Sequence, residues 1–294
     1  MNVRKWRTAM TKIILLLQTE DRKGLLSATV NYFYLEGFNI LHCQQHTDSY
    51  EGRYYMRIEL DAADLKSSRA EFEERFGKFA EPYGFSWSCH YSDYKPRVAI
   101  LVSKTSHCLF DLISRQVEGE LNCEIPLIIS NHPDLERIAN QFRIPYYFYP
   151  VSDNKLEQEA KIRALLRRFD IDLVVLARYM QILSPEFTAE WSGKIINIHH
   201  AFLPAFQGAN PYLRAYQRGV KMIGATAHYA TEDLDKGPII EQDVVRVNHE
   251  LTPKGLKEVG KDVERRVLAR AVQAHLENRI IIHANRTIVF GVER

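Results

Sequence analysis

The sequence predicts an α/β protein in two parts, a small N-terminal unit with the order βαββαβ and a larger unit built on a mostly parallel sheet. The length of 294 residues fits two domains, since one domain usually spans about 100–200 residues. A polar segment that contains a proline, Ser92–Arg97, separates two different patterns of strands and helices. We therefore expect domains at residues 10–92 and 97–294.

The composition argues against several classes of protein. Hydrophobic residues make up 46% of the chain and charged residues 26%, which is typical of a globular protein. The 39 basic and 37 acidic residues are interspersed, so we expect no nucleic-acid partner. No apolar run approaches the ~20 residues of a membrane span, so no membrane association is expected. The four cysteines show no CxxC spacing, which indicates reduced thiols and a cytoplasmic protein.

The first part alternates apolar strands with amphipathic helices. A strand at 12–18 leads into a turn with Gly24, and the apolar residues that follow have helical spacing up to Gly37, a residue suited to the end of a helix. The remaining predicted elements are two strands, a second helix and a last strand: Asn39–Thr47, Arg53–Leu60, Leu65–Tyr83 and Phe85–Tyr91. This order is that of a ferredoxin-like fold.

This part resembles the ACT domain family in two segments. They are the turn Asp21–Gly24 with the helix after it, and Gly37–Ile40. The resemblance implies a regulatory domain that pairs with a second copy, so a homo-oligomer is expected. It also implies a candidate amino-acid effector site at Asp21, Gly24 and Asn39. The alternative is a dimerisation scaffold that binds no effector.

The second part alternates strands with helices, a pattern that produces a parallel sheet with right-handed crossovers. We therefore expect a Rossmann-like domain. The predicted strands are Val98–Val102, Glu124–Ser130, Tyr146–Tyr149, Leu173–Leu176, Ile195–Ile198, Gly224–Ala230 and Ile239–Val247, with a terminal hairpin of Arg279–Ile282 and Thr287–Phe290. The predicted helices are His107–Val117, Pro133–Phe142, Lys155–Phe169 and Pro253–Glu277.

The first turn from strand to helix in this part contains no glycine. It runs from Ser103 to Leu109, where a nucleotide-binding or phosphate-binding protein would carry glycines. Glycines let backbone amides approach a phosphate closely, as in GxGxxG or P-loop turns. The turn therefore favours neither a dinucleotide nor a phosphorylated substrate.

The predicted strand Ile195–Ile198 ends in an amide and two imidazoles, Asn197, His199 and His200. A loop with Pro204, Gly208 and Pro211 follows instead of an immediate helix. Polar side chains at the carboxyl end of a strand face the ligand-binding crevice of an α/β sheet. An amide can donate to a developing oxyanion and an imidazole can exchange a proton near neutral pH.

Asp235, in the later loop 231–238, is the best candidate for a carboxylate that completes this group. The catalytic candidates are therefore Asn197, His199 and Asp235. His200 is a candidate for positioning water, with a loop histidine that satisfies a backbone carbonyl as the alternative.

Four segments of the second part resemble the folate-dependent formyltransferase family: Ala177–Ser184, Asn197–His199 with its loop, Thr231–Pro238 and Ile239–Val247. The resemblance implies catalysis by Asn197, His199 and Asp235. It also implies folate binding by the segment Met180, Gln181, Ile182 and Leu183, mainly through backbone groups and apolar contacts. Tyr179, just before this segment, is either a core residue or a ligand contact.

Within that family, an N-terminal ACT-like part joined to the glycine-free turn resembles the formyltetrahydrofolate deformylases. This implies hydrolysis of 10-formyltetrahydrofolate to formate and tetrahydrofolate, with water as the acceptor. It further implies a role in balancing the one-carbon folate pool and supplying formate, linked to purine biosynthesis. No cofactor or metal is expected. The alternatives are an amine formyltransferase of the glycinamide ribonucleotide type, which would need a phosphate loop, and a non-catalytic folate or amino-acid sensor.

Overall fold

The structure, a computed structural model, describes residues 11–151, 154–205 and 210–291. Contacts between Cα atoms divide the chain into two compact units. The first contains the described residues up to Tyr94 together with Asn278–Ile281 and those from Ile288 onward, and the second contains Lys95–Glu277 and Ile282–Thr287. No helix in the described ranges is long and apolar enough to cross a membrane.

The first unit has the predicted order of elements. They are β1 (Lys12–Glu20), α1 (Leu25–Leu35), β2 (Ile40–Asp48), β3 (Arg53–Asp61), α2 (Arg69–Ala80) and β4 (Ser86–Tyr91). The four strands form an antiparallel sheet in the order β2-β3-β1-β4. Side chains from one face of this sheet pack with both helices in a core rich in phenylalanine. The fold class predicted for this part is therefore confirmed.

Helix α2 is shorter than the predicted Leu65–Tyr83 because both of its ends are set by specific residues. Ser68 accepts a hydrogen bond from the backbone of Glu71, and the Glu71 carboxylate accepts one from the backbone of Ser68. This capping box starts the helix only after Ser68. At the other end, Glu81–Tyr83 forms a separate 3₁₀ turn that contains Pro82.

The other face of this sheet is covered by the end of the chain. Leu16 and Tyr55 pack with Ile281 and Phe290 in a small buried cluster. Because of this packing, the end of the chain belongs partly to the first unit, which differs from the single second domain expected at residues 97–294. Residues 10, 152–153, 206–209 and 292–294 of the predicted domains lie outside the described residues.

The second unit is built on a seven-stranded, mostly parallel sheet in the order β11-β10-β9-β8-β5-β6-β7. Its strands are β5 (Arg97–Val102), β6 (Glu124–Ser130), β7 (Tyr146–Phe148), β8 (Leu173–Leu176), β9 (Ile195–His199), β10 (Met222–Tyr229) and β11 (Ile239–Arg246). Its helices are α3 (His107–Val117), α4 (Glu136–Gln141), α5 (Lys155–Arg168), α6 (Pro185–Glu190), α7 (Pro211–Arg218) and α8 (Pro253–Leu276). Strand β10 is antiparallel to both of its neighbours.

The described chain ends in a two-stranded hairpin of β12 (Ile280–His283) and β13 (Arg286–Val289). The predicted Rossmann-like arrangement is confirmed, but α6 and α7 were not predicted. Both are short helices of six and eight residues, each opened by a proline in the first turn.

The strand order reverses beside β5, whose parallel neighbours are β6 on one side and β8 on the other. The carboxyl ends of β5, β8 and β9 therefore lie at one edge of the sheet. Ligands of open α/β sheets bind at this kind of switch point. The residues that follow these three strands are Ser103, Ala177 and His200, each at the start of a segment of interest for function.

Candidate active site

The end of β9 presents an amide and an imidazole on the same face of the sheet. Asn197 and His199 are two residues apart, so their side chains point in one direction, while Ile198 between them points in the other. His199 is only 6% exposed. Gly208, in the loop that follows, lies outside the described residues.

The loop after β10 brings Asp235 to His199, with 3.2 Å between Asp235 Oδ2 and His199 Nδ1. Asp235 has a φ of 58°, a left-handed conformation that is uncommon for a residue with a side chain. A Cβ atom on Gly237 would lie 1.8 Å from the carbonyl oxygen of Tyr229, so glycine is needed for the loop to fold back on β10. The backbone amide of Tyr229 donates to the carbonyl of Pro238 at 2.9 Å and holds the loop there.

His228 on β10 is a further residue of this group, and sequence reasoning missed it. Its Nδ1 lies 2.9 Å from the Tyr229 carbonyl oxygen, which can only accept, so this nitrogen carries the hydrogen. Its Nε2 then accepts a hydrogen bond from the Asn197 amide nitrogen at 3.1 Å. The second hydrogen of that amide is left for another acceptor. Only the pairing of Asn197 with His228 across β9 and β10 reveals the contact.

Asp235 is a carboxylate at neutral pH. Burial raises the pKa of its carboxyl group, but the hydrogen bond and the charge of His199 lower the pKa well below its usual range. His228 Nε2 lies 3.7 Å from Asp235 Oδ1, beyond hydrogen-bonding distance, so we attribute most of the lowering to His199.

The second ring nitrogen of His199 points to the place of a ligand. Nε2 is buried and has no hydrogen-bond partner among the described residues, whereas Nδ1 faces Asp235. Buried polar atoms are rarely left unpaired in folded proteins. The arrangement therefore suits an imidazole that is oriented by a carboxylate on one side and acts on a substrate on the other.

The segment Met180–Leu183 follows β8 and exposes two apolar side chains next to an anchored backbone. Met180 is 58% exposed and Ile182 56%, while Leu183 is buried in the core. Ser184 then caps α6 by accepting from the backbone of Phe187. Exposed apolar side chains on a fixed backbone form a surface on which an apolar ring system can lie.

Ser103, in the glycine-free turn after β5, anchors this segment. Its hydroxyl oxygen accepts a hydrogen bond from the Met180 backbone at 3.0 Å and donates to Asn131 Oδ1 at 2.7 Å. Ser103 and Asn131 are both buried, at 3% and 4% exposure. Sequence reasoning used this turn only to argue against phosphate binding, and the hydroxyl at its first position was the signal for an anchor.

Of the two ambiguous residues, Tyr179 belongs to the core and His200 lies beside the site. The Tyr179 side chain packs in the cluster between the sheet and α5. The His200 ring centroid lies 5.4 Å from that of His199. Burial, and then the positive charge of Arg178, lower the pKa of His200 to about 3, so its imidazole is neutral at physiological pH.

The structure does not bring the three effector candidates of the first unit together. Gly24 has a φ of 92° at the start of α1, and Asp21 lies in the same exposed turn at the end of β1. Asn39 instead pairs with Asp61, at the level of Lys12 at the other end of β1. The two ends of this strand are about 25 Å apart, so within one chain a small effector cannot contact all three residues.

One group of possible metal ligands lies close together in the described chain, His107, Cys108 and Glu264, with donor atoms within 4.8 Å. Burial raises the pKa of the Cys108 thiol well above its usual value, which disfavours the thiolate that binds metals. The Glu264 carboxylate is already hydrogen-bonded to His107. His42 and His46 are four residues apart, but they lie on strand β2, where this spacing separates them by ~13 Å.

Comparison with known proteins agrees with this geometry. Residues 96–272 match the formyl transferase family model. The chain is 51% identical to a formyltetrahydrofolate deformylase of a Synechocystis species, over 94% of this chain and 98% of the relative. It is 47% identical to a formyltetrahydrofolate deformylase of Bacillus subtilis, over 94% and 93% of the two chains.

Solved structures show the same relationship. A formyltetrahydrofolate deformylase from Pseudomonas syringae pv. tomato superimposes with a TM-score of 0.94 and 43% identity, over 97% of this chain and 96% of that chain. A phosphoribosylglycinamide formyltransferase from Anaplasma phagocytophilum reaches a TM-score of 0.63 at 32% identity and covers 68% of this chain and 97% of its own. The full-length match extends only to the first of these two kinds of protein. The chain therefore belongs to the formyltetrahydrofolate deformylase family, within the wider family of formyl transferases.

Proposed function

We propose that this protein hydrolyses 10-formyltetrahydrofolate to formate and tetrahydrofolate without a metal or a cofactor. The observation that carries the proposal is the buried His199, whose Nδ1 is oriented by Asp235 and whose Nε2 is left for a substrate. This group lies at the carboxyl end of β9, in a chain that matches deformylases over nearly its whole length.

In the proposed reaction, water attacks the formyl carbon and the carbonyl oxygen becomes an oxyanion. The bare Nε2 of His199 can take a proton from the attacking water, and the free amide hydrogen of Asn197 can donate to the oxyanion. A single donor of this kind is worth about 10²–10³ in rate in other enzymes. The proton taken from the water then passes to N10, the bond between the formyl carbon and N10 breaks, and the product leaves as formic acid, which ionises to formate.

Asp235 supports His199 in this scheme. A carboxylate at 3.2 Å fixes the hydrogen on Nδ1 and stabilises the positive charge that His199 gains when it takes a proton. His228 holds the Asn197 amide through the hydrogen bond at 3.1 Å. We treat His228 as a positioning residue, because its ring nitrogens are used by Asn197 and by the Tyr229 carbonyl.

The folate is held by Met180, Gln181, Ile182 and Leu183 in the proposal. The exposed Met180 and Ile182 supply apolar contact for the pterin, and the backbone of the segment supplies hydrogen bonds. His200 positions the attacking water, because its neutral imidazole can accept one hydrogen of that water without repelling the formyl group.

Two alternatives are weaker. An amine formyltransferase that acts on a phosphorylated amine needs a phosphate site, and the turn at Ser103 is used to anchor Met180 instead. A non-catalytic sensor would not need the strained Asp235 loop that Gly237 brings against β10. Strained backbone of this kind is retained where it contributes to function.

For the first unit we propose pairing with a second copy and an amino-acid effector in the turn of Asp21 and Gly24, without Asn39. Strands β2 and β4 are the edges of its sheet, and an edge strand can pair with another chain. Equilibrium dialysis against the common amino acids tests the effector, and absence of binding would contradict the effector site.

We also propose a cytoplasmic location, supported by four cysteines that are all free thiols.

The experiment that tests the catalytic proposal is formate release from 10-formyltetrahydrofolate in the absence of any amine. Formate and tetrahydrofolate are expected in equal amounts, with activity unchanged by a chelator. A protein that releases formate only when an amine is present, or one that a chelator inactivates and added metal restores, would contradict the proposal. In the cell, we propose that this reaction balances the one-carbon folate pool and supplies formate for purine biosynthesis. Growth of a strain that lacks the protein, with and without added purines, tests this link.

A further inference from the structure

Helix α5 carries a buried carboxylate, Glu159, that the proposed reaction does not use. The residue is only 4% exposed. Its Oε1 accepts a hydrogen bond from the backbone amide of Ser184 at 3.0 Å, while Oε2 is buried and has no hydrogen-bond partner among the described residues. Lys155 Nζ lies 3.8 Å from Oε1, beyond hydrogen-bonding distance. Burial of a carboxylate is unfavourable unless the group is paired, so the contact with Ser184 is the one that needs an explanation.

Ser184 lies where the folate-binding segment Met180–Leu183 passes into α6. Its hydroxyl oxygen accepts from the backbone amide of Phe187, and its carbonyl oxygen accepts from that of Thr188. The amides at the start of a helix have no partner inside the helix and need one from outside. Glu159 supplies that partner for Ser184, and it thereby fixes the point at which the segment becomes helix α6.

The folate-binding segment is therefore held at both ends by a buried side-chain oxygen. At its start, the amide of Met180 donates to Ser103 Oγ at 3.0 Å. Directly after its end, the amide of Ser184 donates to Glu159 Oε1. Ser103 follows β5 and Glu159 lies on α5, so two separate elements of the second unit fix the path of five residues.

Side-chain packing agrees with these two hydrogen bonds. Tyr179, just before the segment, and Leu183, at its end, are both buried in the core that α5 also contacts. Met180 and Ile182 between them are exposed. The chain is thus fixed at both ends and presents apolar side chains only between the fixed points, as expected of a binding surface that is ordered before its ligand arrives.

We propose, on the basis of the function proposed above, that Glu159 is a positioning residue that sets the affinity for the folate. It acts through Ser184. A segment that is already held in its binding conformation loses less freedom when the ligand binds, which raises affinity. Without the Glu159 acceptor, the Ser184 amide is left buried and unpaired, and a smaller fraction of molecules holds the segment in place. Binding of the folate weakens, while the reacting groups at His199 are unchanged.

Three substitutions of Glu159 separate its acceptor from its bulk. Glu159→Met keeps a long, unbranched side chain and removes both oxygens. Glu159→Asp keeps the carboxylate but withdraws it from Ser184 by one methylene group, and Glu159→Gln keeps an acceptor oxygen at the same reach. The control is Glu157→Met in the same helix, because the Glu157 side chain is 58% exposed and its ion pair with Lys161 lies on the surface, where such pairs contribute little.

For each protein we measure kcat and KM for formate release, the dissociation constant of tetrahydrofolate by equilibrium dialysis, and the melting temperature as a check on folding. Glu159→Met should raise KM and the dissociation constant by roughly tenfold to a hundredfold, the worth of one hydrogen bond to a charged acceptor, with a much smaller change in kcat. Glu159→Asp should change both constants in the same direction by less. Glu159→Gln should restore most of the affinity, and Glu157→Met should match the wild type.

Wild-type affinity in a folded Glu159→Met protein overturns the inference, and so does a loss confined to kcat. A Glu159→Gln protein that binds as weakly as Glu159→Met also overturns it. If Glu159→Met does not fold, Glu159→Asp decides by the same criteria. A wild-type protein that binds tetrahydrofolate but releases no formate contradicts the proposed hydrolysis instead, and the dialysis still decides the role of Glu159.

Discussion

Replacement of Asp235 by asparagine removes one charge from the candidate site and leaves its shape. At the 3.2 Å between Asp235 Oδ2 and His199 Nδ1, Coulomb's law with an effective dielectric constant of ~20 gives about 5 kcal/mol between a carboxylate and a protonated imidazole. That attraction is present in full only when His199 has taken a proton. The asparagine carbonyl can still accept the hydrogen bond, so we expect a loss of about 3–5 kcal/mol, or roughly 10²–10⁴ in kcat.

The assay is formate release at saturating 10-formyltetrahydrofolate, with the melting temperature as a check on folding. The matched control is Asp233→Asn in the same loop, because the Asp233 side chain is 66% exposed and its ion-pair partner among the described residues is Lys236. We expect the control to retain normal turnover. A folded Asp235→Asn protein with a kcat within a factor of a few of the wild type would refute the role of the carboxylate.

Three other substitutions separate binding, folding and charge. Ser103→Ala removes the acceptor of the Met180 backbone hydrogen bond, so KM for the folate should rise by roughly tenfold with a smaller change in kcat. An unchanged KM would contradict the role of Ser103 in anchoring the folate-binding segment. Gly237→Ala forces a Cβ atom against the Tyr229 carbonyl and should lower the free energy of unfolding by several kcal/mol, together with activity. A calorimetric scan identical to that of the wild type would show that the added Cβ atom does not clash there. Glu264→Gln tests the depressed pKa of Glu264. A carboxyl group whose pKa is lowered in the folded protein stabilises it above the unfolded pKa of about 4.3, and this stabilisation is lost as pH falls. The free energies of unfolding of the wild type and of Glu264→Gln should therefore differ most at neutral pH, by about 3 kcal/mol, and become similar in acid. A difference between the two proteins that grows in acid would contradict the lowered pKa.

The architecture was predictable because each element carries its own signal. Alternating apolar strands and amphipathic helices identified both sheets, and the order β2-β3-β1-β4 agrees with the expected ferredoxin-like unit. The short helices α6 and α7 have six and eight residues, too few for a periodic pattern to be recognised. The packing of Ile281 and Phe290 on the first unit depends on tertiary contacts that no local pattern reports.

The candidate site was predictable only in part, for a related reason. Asn197, His199 and Asp235 stand out as polar residues in a strand end and a loop, and the structure brings His199 and Asp235 together. His228 was missed because its contact with Asn197 depends on the register of β10 against β9. Register is set by the whole sheet. The same dependence separates Asn39 from Asp21 and Gly24, which the sequence alone had grouped.

In the proposed reaction water, and no other nucleophile, receives the formyl group. Turnover in heavy-oxygen water with mass spectrometry of the product tests it most directly. Attack by water on the formyl carbon predicts formate that carries one heavy oxygen for each tetrahydrofolate formed. Formate without the label, or tetrahydrofolate formed without formate, would contradict attack by water.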